Sequence, residues 1–279
     1  MDLAEHIENN VEAALAEDIG SGDLTAQLIP AAQTARAFII SRDAAVLCGT
    51  AWFEACFRRL DAKVEIKWFA RDGESVAAGR VLAEISGNAR AMLSAERPAL
   101  NFLQTLSATA TATRQYVEAV KSTHASIMDT RKTLPGLRAA QKYAVKCGGG
   151  ENQRTGLYDG ILIKENHIMA AGGIHEALTQ AANIATAGIP IQIEVESLDE
   201  LEQALAAGAK LILLDNFDLA TLRAAVKLAG AKAELEASGG ITLETVRAVA
   251  ETGVHRISVG SLTKDIKAVD LSMRFSTTP

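Results

Sequence analysis

Cysteine is scarce in this chain: Cys48, Cys56 and Cys147 are the only three among 279 residues. Their number is odd and none stand at a CxxC spacing, which argues against a disulfide framework and against a structural zinc site. Buried thiols in a reducing compartment are the expectation. A basic excess is also lacking. The net charge is −6, which argues against a general nucleic-acid binder. No apolar run approaches the ~18 residues of a membrane span. The opening "MDLAEHIENNVEAALAED" is acidic and amphipathic, without the basic start and apolar core of a signal peptide. A soluble cytoplasmic protein is expected, with no nucleic-acid or membrane partner. Two nucleotide-loop signatures are missing too: "CGGGENQ" lacks the GK[ST] of a P-loop, and no GxGxxG occurs.

What is present is apolar material in two rhythms. Hydrophobic residues make up 48% of the chain, enough for a sizeable core. Residues 3–17 read as a helix, and "SGDLTAQLIP" supplies turn residues and a proline stop. "ARAFIISRDAAVLCG" reads as strands, and "VEIKWFARDGESVAAGRVLAEISG" alternates apolar and polar residues around glycine turns, as antiparallel strands do. The second half of that stretch resembles the turn-and-strand pattern of lipoyl and biotin carrier domains, without a lysine at the turn, so it is read as structural. A long helix is expected from about Ser94–Pro98. From residue 125 onward, β-favouring runs at 125–128, 160–163, 190–195, 211–214, 233–237 and 256–259 alternate with helix-like segments at 172–187, 198–207, 218–229 and 242–252. Strands alternating with helices imply right-handed crossovers and a parallel sheet, and six units favour a barrel over an open sheet.

Parallel α/β folds bind ligands at the carboxyl ends of their strands. Those ends here are Asp129-Thr130-Arg131-Lys132, Lys164-Glu165-Asn166-His167, Glu194 with Glu196, Asp215-Asn216, Ser238-Gly239-Gly240 and Gly260-Ser261. All six are polar, charged or suited to phosphate. Residues 129–164 hold seven cations and three acids, a local +4. Arg138, Lys142 and Lys146 recur at helical spacing and read as an exposed face. Arg131, Lys132, Arg154 and Lys164 lie at strand ends or in the loop between, and would form a pocket for an anionic substrate. Glu194 and Asp215, on neighbouring strands, suit a Mg²⁺ bridged to phosphate, with Glu196 a weaker candidate. "ASGGITLE" and "VGSLT" place small residues where a helix start would favour phosphate.

The stretch "DTRKTLPGLRAAQKYAVKCGGGENQRTGLYDGILIKENHI" resembles the signature of the quinolinate phosphoribosyltransferase family, as do "ERPALNFLQ", "IEVE", "LILLDNF", "EASGGI" and "ISVGSLT". The resemblance runs in order over nearly the whole chain. It implies an N-terminal α/β sandwich domain at residues 1–110, with 266–279 packing back on it, and an irregular α/β barrel with parallel strands at 111–265. It further implies transfer of phosphoribosyl from phosphoribosyl pyrophosphate to quinolinate with decarboxylation, and a homodimer with shared sites. By the same resemblance Arg131, Arg154 and Lys164 hold the quinolinate carboxylates, and Arg97 reaches in from the neighbouring subunit. Lys132, Glu194 and Asp215 attend the phosphoribosyl pyrophosphate and its Mg²⁺, while Ser238, Gly239, Gly240, Gly260 and Ser261 lie at or near its 5′-phosphate. Gln153 stands where the family usually has histidine, so it can donate a hydrogen bond but not carry a positive charge. Lys264 stands where many members have histidine, and keeps a possible phosphate contact.

Overall fold

A computed structural model describes residues 3–276. In chain order its elements are α1 (Leu3–Ile19), β1 (Thr34–Ser41), β2 (Ala45–Val46), α2 (Thr50–Leu60), β3 (Glu65–Trp68), β4 (Ser75–Val76), β5 (Val81–Asn88) and α3 (Ala89–Val120). There follow β6 (Ser126–Met128), α4 (Arg138–Gly148), β7 (Ile161–Ile163), α5 (Glu165–Ala171), α6 (Ile174–Ile184), β8 (Ile191–Val195), α7 (Leu198–Ala206) and β9 (Leu211–Asp215). The chain ends with α8 (Leu219–Ala229), β10 (Glu234–Ser238), α9 (Val246–Ala250), β11 (Arg256–Ser258), α10 (Ser261–Lys264) and β12 (Leu271–Phe275). No described helix is long and apolar enough to cross a membrane.

These elements form two compact units. The first holds residues 3–114, 133–149 and 263–276, and the second 115–132 and 150–262. In the first, an antiparallel sheet has the order β12-β1-β5-β3, with β2 and β4 as a separate pair. Along β1 the buried residues are Ala37, Ile39 and Ser41, the two-residue period of a half-covered strand. Helix α2 buries Trp52, Phe53, Cys56 and Phe57 along one face. Phe53 meets Trp68 of β3 edge-on, with centroids 5.3 Å apart. Each such ring contributes roughly 1.5–3 kcal/mol by leaving water. The C-terminal return takes the form of β12 pairing with β1 (Ile39 opposite Met273), while residues 277–279 of that expected segment lie outside the described residues.

Two expectations about helices need correction. The long helix α3 begins at Ala89, not near Ser94–Pro98. Asn88 caps it, its side-chain oxygen accepting from the Ala91 N–H at 3.1 Å, and Pro98 is carried inside the helix. Helix α4 does not present Arg138, Lys142 and Lys146 as one exposed face. Lys146 is exposed, Arg138 is half-buried and Lys142 is 2% exposed. Small residues explain this: Ala140 and Ala144 let the helix sink into the first unit's core, where Tyr143 also meets the Trp52 ring. Residues 133–149 therefore pack with the first unit, although sequence places them inside the barrel range.

In the second unit all strand pairs are parallel and the order is β6-β11-β10-β9-β8-β7. The first strand lies beside the last, as in a barrel, and the ladder is interrupted between β6 and β7. An extended segment lies along the β6 side of this gap. The Glu151 N–H donates to Ile127 O at 2.8 Å, and the Asp129 N–H donates to Glu151 O at 3.1 Å. Side chains alternate between the two faces of each strand. Ile163, Ile193, Val195, Ile212, Leu214, Leu235, Ala237 and Ile257 are buried on the face that the alternation gives to the helices. The residues between them face a cavity.

Candidate active site

That cavity has a volume of about 290 Å³ and lies wholly within the second unit. Its lining repeats a pattern from strand to strand. Lys164, Glu194, Asp215 and Ser238 sit at strand tips, and Leu162, Leu213 and Glu236 sit two residues earlier on the same faces. Thr130, Arg131 and Lys132 enter from the end of β6, and Gln153 and Arg154 from the segment in the gap.

The cationic wall is held by local chemistry. Asp129, fully buried, accepts the Gln153 N–H at 2.8 Å and so ties the segment in the gap to the end of β6. Thr130 Oγ1 accepts the Lys132 N–H at 3.0 Å. Gly260 leaves room for the Lys132 stem: a Cβ there would stand 3.3 Å from Lys132 Cδ. Arg154 donates from Nη1 to Gly160 O at 2.9 Å. Asp159 closes the turn between them, accepting from the Thr155 and Gly156 N–H groups at 2.8 and 2.9 Å. Burial, and then the neighbouring Arg131 charge, lower the Arg154 pKa below the ordinary guanidinium value. Two guanidinium groups that repel one another form a receptor for anions.

The opposite wall is acidic. Glu194 and Asp215 end adjacent strands. Around them Glu196 has a raised pKa, through loss of hydration and then repulsion from Glu165, Glu200, Asp215 and Glu194. Lys164 crosses to this wall, its Nζ standing 2.8 and 3.2 Å from the two Glu194 oxygens. Asn216 donates from Nδ2 to Asp215 Oδ2 at 2.7 Å and takes a left-handed backbone with φ 57°. Its N–H donates to Ser238 O. Gly239 is required here, because a Cβ would lie 2.1 Å from Asn216 Oδ1, and its own φ is 102°.

Below the tips the floor is a closed polar network. Glu236 is 1% exposed. Its carboxylate accepts from the Gln153 amide, from the Ser258 hydroxyl and from Gln192 Nε2 at 2.9 Å. Gln153 Nε2 also reaches Gln192 Oε1 at 3.4 Å. Both carboxylate oxygens are thus engaged by neutral donors.

The model of the quinolinate phosphoribosyl transferase C-terminal domain matches residues 109–274, and that of the N-terminal domain matches residues 23–107. The chain belongs to the quinolinate phosphoribosyltransferase family. It is 46% identical over 257 residues to the probable nicotinate-nucleotide pyrophosphorylase [carboxylating] of Bacillus subtilis, covering 92% of this chain and 89% of that one. It is 37% identical to the chloroplastic nicotinate-nucleotide pyrophosphorylase [carboxylating] of Arabidopsis thaliana, covering 96% and 82%. The solved structure of the nicotinate-nucleotide pyrophosphorylase from Francisella tularensis superposes with a TM-score of 0.95 at 45% identity, covering 98% of this chain and 96% of that one.

Eight residues expected from the family resemblance line the cavity: Arg131, Lys132, Gln153, Arg154, Lys164, Glu194, Asp215 and Ser238. Gly239, Gly240, Gly260 and Ser261 do not line it, although Gly239 packs on Asn216 and Gly260 on Lys132. Arg97 is exposed on α3 in the first unit. Glu196 lies just beyond β8 and outside the lining. The expected helix start at "ASGGITLE" is absent. Turn residues follow Gly240, and α9 begins only at Val246, so no helix terminus serves a phosphate there. Ser261 does open the short α10. Sequence reading named Thr130 only as part of a strand end and missed Leu162, Leu213, Glu236 and Ser258. Alternation could have found three of them, because Leu162, Leu213 and Glu236 precede a chosen strand-tip residue by two positions.

Proposed function

We propose that this chain transfers the phosphoribosyl group of phosphoribosyl pyrophosphate to quinolinate with loss of CO₂, yielding nicotinate mononucleotide and pyrophosphate for de novo NAD biosynthesis. One observation carries the reading: Arg131, Lys132, Arg154 and Lys164 converge with Glu194 and Asp215 on a single cavity. A dicarboxylate acceptor needs several cations, and a phosphorylated, metal-bound donor needs carboxylates.

In this reading Arg131 and Arg154 grip the quinolinate carboxylates through paired N–H donors. Gln153, its amide N–H donating to Glu236, is held in place beside them. The pyridine nitrogen attacks the anomeric carbon as pyrophosphate leaves through an oxocarbenium-like transition state. Lys132 stabilises the charge that builds on the leaving group. Ribosylation turns the ring into a cation, which stabilises the electron pair left on the ring carbon when the adjacent carboxylate departs as CO₂, and a proton from solvent then takes the carboxylate's place. Lys164 starts paired with Glu194. It would exchange that partner for substrate, its own side chain being half in water. Glu194 and Asp215 fit Mg²⁺, since they stand near the ends of adjacent strands and turn carboxylate oxygens to the same cavity. Bound there, the ion would neutralise pyrophosphate charge.

The active form in this reading is a cytoplasmic homodimer in which Arg97 completes the partner's site. Leu157 and Ile184, each 75% exposed, line a groove beside β7 and support burial by a second copy. The test is incubation with quinolinate, phosphoribosyl pyrophosphate and Mg²⁺, with product identified by mass. Nicotinate mononucleotide with released CO₂ is expected; use of nicotinate in preference to quinolinate would overturn the substrate. Mixing inactive Arg97→Ala and Lys132→Ala chains should restore part of the activity, and no recovery would argue that Arg97 acts within its own chain.

A further inference from the structure

A second reactive cluster lies in the first unit, formed of residues from three separate segments. Cys48, Asp72 and Cys147 bring two sulfurs and a carboxylate oxygen within 4.8 Å of one another. Cys48 precedes α2 and is fully buried, whereas Cys147, in the last turn of α4, is only half-buried. Tyr143, one helical turn before Cys147, donates its hydroxyl to Asp72 Oδ2 at 2.9 Å. Asp72 also accepts the Gly49 and Thr50 N–H groups at 3.2 Å each, which ties it to the first turn of α2. Its oxygens are therefore engaged, and the two sulfurs are the reactive groups of the cluster.

We propose that Cys147 and Cys48 form a reversible oxidation site for hydroperoxides, with Cys147 as the attacking thiol and Cys48 as the resolving one. The two sulfurs differ in the required sense. Donation from the Cys48 thiol holds the Cys147 thiol below its ordinary pKa despite burial. Burial pushes Cys48 up, and pushes the isolated Cys56 up to about 12. A half-buried, acidified thiol beside a fully buried partner is an arrangement that favours selective oxidation. In the first step the Cys147 thiolate attacks a peroxide oxygen. The O–O bond breaks, an alcohol or water leaves with a proton, and Cys147 becomes a sulfenic acid. In the second step the Cys48 sulfur attacks the Cys147 sulfur. The S–O bond breaks and water leaves with the Cys48 proton. Two thiols thus supply the two electrons that reduce one peroxide, and an exogenous thiol reverses the change.

The experiment treats the full-length protein with hydrogen peroxide and follows intact mass and peptide maps. Expected is the loss of two hydrogens, one crosslinked peptide pair joining Cys48 to Cys147, an unmodified Cys56, and full reversal by dithiothreitol. Cys48→Ser should trap a sulfenic acid at Cys147 that dimedone labels. Cys147→Ser should slow oxidation by about tenfold or more. Three results would overturn the proposal: oxidation of Cys147 straight to sulfinic acid without a crosslink, equal reaction at Cys56, or one equivalent of zinc retained by the wild type and lost in both cysteine variants.

Discussion

The rim and the floor of the barrel cavity handle polar groups in opposite ways. At the rim, Lys132, Lys164, Glu194 and Asp215 stand on strand tips, open to water in varying degree. The Lys164–Glu194 pair shows it, with side chains 49% and 14% exposed. Lys164, half in water, can change partners at little cost while Glu194 keeps its place. On the floor, the Glu236 carboxylate is sealed from water and accepts from Gln153, Gln192 and Ser258. There the low local dielectric strengthens each hydrogen bond and penalises each lost one. The difference separates two duties: charges that must respond to ligands are kept wet, and groups that must stay in register are kept dry.

The strongest test of this division is Lys132→Ala. Removing a donor that acts on the leaving group should lower turnover by about 10²–10³-fold. Quinolinate affinity, measured by calorimetry, should change little. Arg131→Ala should do the reverse. Losing a charge-assisted hydrogen bond of roughly 1.5–3 kcal/mol weakens quinolinate binding by about 10–100-fold. Unchanged quinolinate affinity in Arg131→Ala would remove that residue from the acceptor side and blur the two walls into one.

The rim was far more legible in the sequence than the floor. Strand positions emerged from short β-favouring runs, and the observed β8 and β9 differ from the expected segments by one residue at one end. Charged residues at those tips were conspicuous because a strand end is where chemistry accumulates in parallel folds. Glu236 was not, because an acid inside "AELEAS" reads as a solvated position. Only the pairing of β10 between β9 and β11, a long-range fact, turns it inward. The start of α3 was misjudged because Pro98 is a strong local signal and Asn88 a weak one. Helix α4 was given to the wrong unit because its alanines carry no pattern that says which core they fill. The gap between β6 and β7 depends on Asp129 holding Gln153, a contact that no local pattern encodes.

The floor yields a smaller, different effect. Glu236→Gln replaces an acceptor with an amide that must face at least one existing donor. An unsatisfied buried group costs about 1–3 kcal/mol, and each kcal/mol lowers the melting temperature by about 2–4 °C in a chain of this size class. KM for quinolinate should rise as Gln153 loses its hold, with kcat changed less than in Lys132→Ala. If kcat falls as far as in the lysine variant, Glu236 belongs to the chemistry and the contrast between rim and floor is lost.

The smallest effect is acid-side and concerns Asp159, which shapes the turn carrying Arg154. Burial would raise its pKa, but the Gly156 and Thr155 N–H donors outweigh that and hold it below the ordinary carboxylate value. A depressed folded-state pKa means that the charged form stabilises the turn. That stabilisation is complete above the unfolded value of about 3.9 and disappears as pH falls through the lower folded value. Asp159→Asn should therefore cost stability at neutral pH and nothing additional in strong acid. Denaturant unfolding at several pH values would show the difference between wild type and variant shrinking as pH drops below about 4. A difference that stays constant down to acid would mean that the turn depends on shape alone, and that the charge on Asp159 has no part in presenting Arg154.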